Sequence, residues 1–462
     1  MYHRILLLIV LFCSPYLWAF DFGKIPPEEV SVYIQDLQTG KALVSHRADT
    51  AVNPASVMKL VTTFTALRSL GSDYSWQTEW KSDAPVKNHI LEGDLYWVGS
   101  GNPVLDQNDL LDVQSQLAAR GIRHIRGQLV LDRQIWSNNG SAEDFDADSA
   151  ETFATPPDPH MLAYKVVWLK PERNEQGITT VTLNPPLPEV PQQYNIGLYP
   201  SAAGCPSLKS YLNARYQNGT LVAEGRIPEP CLGQEMFVNM LDSTDFAARS
   251  FINQWRANGG TINSSFRIGI TPKHATTLAV NHSKPLSDVL SDMNKNSNNI
   301  IARSIFLTLG NLHSKQGDTV ADARAEVRRQ LAQANIDDEA LVLENGSGLS
   351  RRERVSARMM GEILAQAYHS SFQKIFIDSL PIGGYDGTLK NRFKNATQSL
   401  HLKTGTLKNV RALAGYRLPQ TSGEHPLAIV LIVNSEQAGN YPSEMDSLLS
   451  TWLQTAQTTV MP

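Results

Sequence analysis

The stretch Asn53-Pro54-Ala55-Ser56-Val57-Met58-Lys59 sets a hydroxyl three residues before an amine. A proline fits the first helical position, where its missing N–H would be unpaired anyway, and the asparagine before it is a natural N-cap. Apolar residues recur at Met58, Val61, Phe64, Leu67 and Leu70, close to a helical period. The spacing predicts Ser56 in the first turn of a buried helix with Lys59 on the same face, at the pole that favours negative charge. A hydroxyl beside an amine at such a pole is a candidate activated nucleophile. The pattern is loose by itself. Ser371-Phe372-Gln373-Lys374 matches it too, and most such pairs are solvated surface residues.

Two later stretches offer partners. In Asn294-Lys295-Asn296-Ser297-Asn298-Asn299, Ser297 and Asn299 present a hydroxyl and a carboxamide from one short loop between two predicted helices. A hydroxyl can relay a proton between an amine and a leaving group. An amide can donate to a substrate carbonyl and accept from a lysine. The plainer alternative makes Ser297 or Asn299 an ordinary cap for the following helix. Lys403-Thr404-Gly405-Thr406 ends a predicted strand. A lysine with threonine hydroxyls suits a carboxylate, and Gly405 lets a ligand approach the backbone closely. A strand end turning into a loop would look the same. Ser347, in Gly346-Ser347-Gly348, lacks the Gly-x-Ser-x-Gly spacing of a hydrolase elbow. The histidines are scattered and no Cys/His cluster has zinc spacing, so neither metal nor cofactor is expected.

The elements that must position these groups come from both ends of the chain. Residues 30–36 and 41–45 flank the turn Leu37-Gln38-Thr39-Gly40 and read as an antiparallel hairpin. Residues 400–403 and 410–418 alternate, 427–433 is almost wholly apolar, and 441–457 is helical. One sheet assembled from both termini is expected, with the middle of the chain an excursion from a single catalytic domain. Helical periods also cover 286–293, 299–309, 319–334 and 357–368. In the excursion, 76–81, 91–98 and 128–132 read as strands, 109–120 and 245–258 as helices, and Gly99-Ser100-Gly101-Asn102-Pro103 as a turn. Residues 137–159, rich in Asp, Ser, Asn and Pro, read as a long loop of the kind that carries function. Residues 164–227 read as strands broken by prolines, a small β subdomain nested in the insertion.

Hydrophobic content of 42% and a net charge of −4 exclude a disordered chain and give no basic excess for nucleic acid. His3 and Arg4 precede an apolar run at 5–12, with Ala19 at a cleavage position, so 1–19 reads as a signal peptide too short to span a bilayer. Its removal takes Cys13 and leaves Cys205 and Cys231. Two cysteines in an exported chain suggest one disulfide, with two unpaired buried thiols as the alternative.

Ser-x-x-Lys, Ser-x-Asn and Lys-Thr-Gly, in that order, resemble the signature of penicillin-binding proteins and β-lactamases, with Asn298 where Asp is usual. Pro54 through Thr63, the Gly99–Pro103 turn, Asn345-Gly346-Ser347-Gly348-Leu349-Ser350-Arg351 and Gly384-Tyr385-Asp386-Gly387-Thr388-Leu389 are similar to the penicillin-binding protein 4 type, the D-Ala-D-Ala carboxypeptidase/endopeptidases of serine peptidase family S13. That resemblance implies an α+β, transpeptidase-like catalytic domain, an antiparallel sheet flanked by helices, carrying a large, mainly β insertion. The expected limits are 20–80 and 271–462 for the catalytic part, 81–160 and 235–270 for the insertion, and 161–234 for the nested subdomain.

By the same resemblance Ser56 is the nucleophile and Lys59 its base. Ser297 relays the proton, Asn299 orients Lys59 and substrate, and Lys403, Thr404 and Thr406 hold the terminal carboxylate. The N–H groups of Ser56 and Thr406 form the oxyanion hole. The implied partners are peptidoglycan peptides and β-lactams in the periplasm, with weak association to a membrane surface left open and oligomeric state unspecified. An acidic residue in the insertion loop would contact the peptide's third residue. Asp144, Asp146 and Asp148 are available there, without the family's Pro-Gly-Trp context. A β-lactamase, or a non-catalytic peptidoglycan-binding scaffold, would share these motifs.

Overall fold

Strand Leu427–Asn434 is buried along seven of its eight residues and divides the catalytic part into two cores. Ala428, Val430 and Ile432 face one core, and Leu427, Ile429, Leu431 and Val433 face the other. A period of two with apolar residues on both sides requires cover on both sheet faces. A computed structural model describes residues 21–140, 152–312, 315, 317–396 and 399–460. The expected signal peptide, with Cys13, and Asp144, Asp146 and Asp148 lie outside the described residues.

The sheet runs, in spatial order, Leu400–Leu407, Val410–Arg417, Leu427–Asn434, Val30–Asp36 and Ala42–His46. Every pairing is antiparallel, so both chain ends contribute to one sheet as expected. The C-terminal helix, through Met445, Leu449 and Trp452, covers one face. The other face is covered by helices Lys59–Ser69, Asn299–Asn311, Thr319–Gln333 and Ala357–Tyr368, which share a core with Phe64, Phe306 and Met360. Leu400–Leu407 is an edge strand. Residues 381–383 cover its first half, through Leu402 N–H to Pro381 O and Gly383 N–H to Leu400 O, and the Lys403-Thr404-Gly405-Thr406 half lies beyond this cover.

The insertion has its own core around the stacked pair Trp80 and Trp97. Its main sheet runs Phe266–Ile268, Leu129–Asp132, Leu95–Val98, Gln77–Ser82 and Thr276–His282. Thr276–His282 escaped the sequence reading, and it pairs antiparallel with Gln77–Ser82. The chain therefore enters and leaves this sheet just outside it, near Trp76 and Ser283, rather than at 80 and 271. Two three-stranded sheets form the nested part, and Met236–Asn239 pairs with Val166–Arg173, so that unit runs past 234. Cys205 and Cys231 are joined, as the pair of exported cysteines suggested. Among the described residues, no helix is long and apolar enough to cross a membrane.

Candidate active site

Ser56 is the one residue between Val52 and Leu67 that is not buried. Its local structure differs from the expectation. Ala55–Met58 is a 3-10 turn, and the α-helix starts at Lys59. The N-cap is Pro54 and not the expected Asn53, whose Oδ1 instead accepts from Ala55 N–H at 2.9 Å across the entry to the turn. In a 3-10 turn residues i and i+3 eclipse one another. The tighter winding thus stacks Lys59 over Ser56, and Lys59 Nζ lies 3.1 Å from Ser56 Oγ.

Lys59 Nζ also donates to Asn299 Oδ1 and to the Ser347 carbonyl, each at 2.6 Å. The Ser297–Asn299 loop works because neither of the two expected residues caps the helix. Asn298 does so, its Oδ1 accepting from Ile301 N–H at 3.0 Å. The side chains on either side are then free to face the site. Asn299 meets Lys59, and Ser297 Oγ accepts from Lys403 Nζ at 2.9 Å. Ser297 sits at φ +54°, a left-handed conformation uncommon for a residue with a side chain. Lys403 donates in addition to Thr404 O at 2.8 Å, and Thr404 Oγ1 lies 2.9 Å from Thr388 Oγ1. Gly405 lies where a Cβ would meet Pro54 O at 2.8 Å, which lets the edge strand close against the Ser56 turn. Thr406 is exposed at the open end of that strand.

Both lysines are fully buried. Burial in low dielectric disfavours a charged amine. Lys59 is held well below the usual lysine range, first by desolvation, then by repulsion from Lys403, with Glu353 acting in the opposite sense. Lys403 is pushed down to about 7 by burial. Lys59 is thus biased toward the neutral amine that can accept a proton from Ser56.

Two groups at the floor of the site carried no sequence signal. Ser347 contributes its carbonyl, and no side-chain pattern announces a carbonyl. Glu353 lies among Arg351, Arg352 and Arg354, where a lone acid reads as solvated surface; it is instead wholly buried, its Oε1 accepting from Glu344, Asn345 and Gly346 N–H at 3.1 to 3.2 Å. The insertion reaches the site too. Phe153 O accepts from Asn299 Nδ2 at 3.3 Å, and Ala154, Leu349 and Leu407 form a small apolar rim. Buried Arg303 donates to Ala154 O and Thr155 O, fixing that end of the loop.

An alcohol under a buried, proton-poor lysine, beside a second lysine on an open strand edge, is the constellation of a serine hydrolase that works through an acyl-enzyme. The sequence matches the D-Ala-D-Ala carboxypeptidase 3 (S13) family over residues 18–455, and the chain belongs to that family. It is 28% identical over 437 residues to a D-alanyl-D-alanine carboxypeptidase of Actinomadura sp. (strain R39), covering 89% of this chain and 78% of that one. It is 26% identical to the D-alanyl-D-alanine carboxypeptidase DacB of Haemophilus influenzae, covering 91% and 88%. The crystal structure of penicillin binding protein 4 from Haemophilus influenzae superposes with a TM-score of 0.70 at 24% identity, covering 88% of this chain and 90% of that one. The same protein complexed with a β-lactam gives 0.66. The chain has the α+β fold of this group and is a serine-type D-Ala-D-Ala peptidase.

Proposed function

We propose that this enzyme cleaves the D-Ala-D-Ala bond of peptidoglycan stem peptides, and the equivalent bond in crosslinks, through an ester on Ser56. The observation that carries the reading is the threefold arrangement at Lys59 Nζ, which touches Ser56 Oγ, Asn299 Oδ1 and Ser347 O together. With two N–H donors and one lone pair, a neutral amine so held can donate to Asn299 and Ser347 and turn its lone pair to Ser56.

Ser56 Oγ attacks the carbonyl between the two D-alanines as Lys59 takes its proton. The N–H groups of Ser56 and Thr406 receive the oxyanion, each such donor being worth about 3 kcal/mol. Ser297, bonded to Lys403, relays the proton that Lys59 took to the departing amine, which leaves Lys59 neutral again. Lys403, Thr404 and Thr406 hold the terminal carboxylate on the open strand edge. Water then attacks the ester and Lys59 again serves as base. A penicillin, whose carboxylate sits beside a strained amide, would acylate the same oxygen and leave slowly. The apparent leader at 1–19 supports work in the periplasm, where the substrate lies.

Incubation with defined muropeptides tests this. Release of D-Ala from pentapeptide, and cleavage of a crosslinked dimer, are expected from the native chain and not from Ser56→Ala. No product from either substrate would overturn it. Steady turnover of penicillin, in place of a slow adduct, would favour the β-lactamase alternative.

A further inference from the structure

Glu353 is a wholly buried ionisable group beneath the site for which the mechanism above has no role. It is 0% exposed, and its Oε1 gathers the N–H groups of Glu344, Asn345 and Gly346. Oε2 is buried and, among the described residues, takes no hydrogen bond. The backbone it gathers is the start of the loop that floors the site. Gly346 O, in that loop, accepts from Thr62 Oγ1 at 2.6 Å, and Ser347 O accepts from Lys59 Nζ at 2.6 Å. Thr62 and Lys59 are one turn apart on the nucleophile helix, so the loop grips that helix at two successive points. Gly348, at φ +82°, lies where a Cβ would sit 1.8 Å from Ala55 O and 2.8 Å from Ser56 N. Any drift of the loop therefore moves against the backbone of the nucleophile itself.

The charges around this floor are unequal. Lys59, Lys403 and Arg303 are all buried, and Glu353 is the buried acid whose charge acts on Lys59 and Arg303. Transferring the Ser56 proton turns Lys59 into an ammonium beside Lys403, in surroundings where an unbalanced charge is costly. Burial raises the Glu353 carboxyl above the usual carboxylate range, while the three N–H donors and the nearby Lys59 act in the opposite sense and favour the ionised form. The carboxylate is also already in place when the positive charge appears, so no reorganisation is needed.

We propose that Glu353 is a positioning residue for Lys59: it fixes the loop that presents the Ser347 carbonyl, and its carboxylate is the standing counter-charge for the ammonium formed when Ser56 is deprotonated. This inference rests on the acyl-enzyme reading. The groups facing Lys59 are Ser56 on its own turn, Asn299 from the first residue of the helix Asn299–Asn311, the Ser347 carbonyl, Lys403 from the edge strand, and Glu353 below. Those acting on Glu353 are Lys59, Arg303 and the three N–H groups.

The test is the pH dependence of Ser56 acylation by a labelled penicillin in the full mature chain, native against Glu353→Gln. Glutamine keeps an oxygen for the three N–H groups and loses the charge. Removing a negative neighbour favours neutral Lys59, so the acid limb should move to lower pH by about one unit, with a lower plateau rate. Glu353→Asp, charged but shorter, should return the limb toward its native position while acylating more slowly. If Glu353→Gln melts as the native chain does and its limb does not move, the counter-charge role is wrong. If Glu353→Gln does not fold, an unmoved limb in Glu353→Asp together with a native plateau rate refutes the positioning role. Absence of acylation in the native chain would instead refute the acyl-enzyme reading.

Discussion

The chain contains two copies of Ser-x-x-Lys, and they end in opposite environments. Lys59 is wholly buried at the start of a helix whose next eight residues are buried as well. Lys374 opens a short helix, Gln373–Asp378, with its side chain 86% exposed and paired to Asp378 four residues on. Spacing is identical, so spacing does not make the chemistry. The first pair has its lysine stripped of water, held by two acceptors, and set beside a second buried lysine. The second has its amine in bulk solvent, paired with Asp378.

The largest effect expected from this contrast is at the serines. Ser56→Ala should abolish acylation by penicillin, while Ser371→Ala should acylate at the native rate, both read from adduct formation over time. Next come the lysines. Lys59→Met should slow acylation by about 10³-fold or more, the scale of a lost general base. Lys374→Met should leave the rate unchanged and move Tm by under about 2 °C, since exposed ion pairs contribute little.

Lys403→Met sharpens the comparison because burial there has a cost that stability measurements can read. Carboxylate capture should be lost, raising KM steeply for D-Ala-D-Ala substrates. The same change should stabilise the fold. Lys403 has a folded pKa of about 7 against an ordinary value of 10.5, so the unfolded chain binds the extra proton between them. Stability of the native chain therefore rises with pH across that window. Met removes a penalty that is full below pH 7 and gone above 10.5, so its gain in Tm should be largest at or below pH 7 and shrink at higher pH. A variant that is less stable at pH 6 would show that the Ser297 and Thr404 hydrogen bonds outweigh desolvation.

The order of motifs made the site legible, and so did the doubly apolar strand at 427–433 and the hairpin from both chain ends. Each is a pattern of side chains, which a sequence writes out directly. What stayed hidden is carried by backbone or by context. The 3-10 winding at Ala55–Met58 depends on Asn53 gripping one N–H and on packing against Gly348 and Gly405. The cap at Asn298 could not be told from Ser297 or Asn299, because all three residue types cap helices well. Thr276–His282 has weak alternation and owes its place to pairing with Gln77–Ser82, almost two hundred residues earlier. Glu353 was hidden by three neighbouring arginines, whose side chains turn elsewhere while it turns in.

Mass spectrometry of the protein after penicillin treatment, followed by peptide mapping, tests most directly that burial rather than spacing selects the nucleophile. One adduct per chain, on the peptide carrying Ser56 and none on that carrying Ser371, is the predicted result. An adduct on Ser371, or a native chain that acquires none, would contradict it.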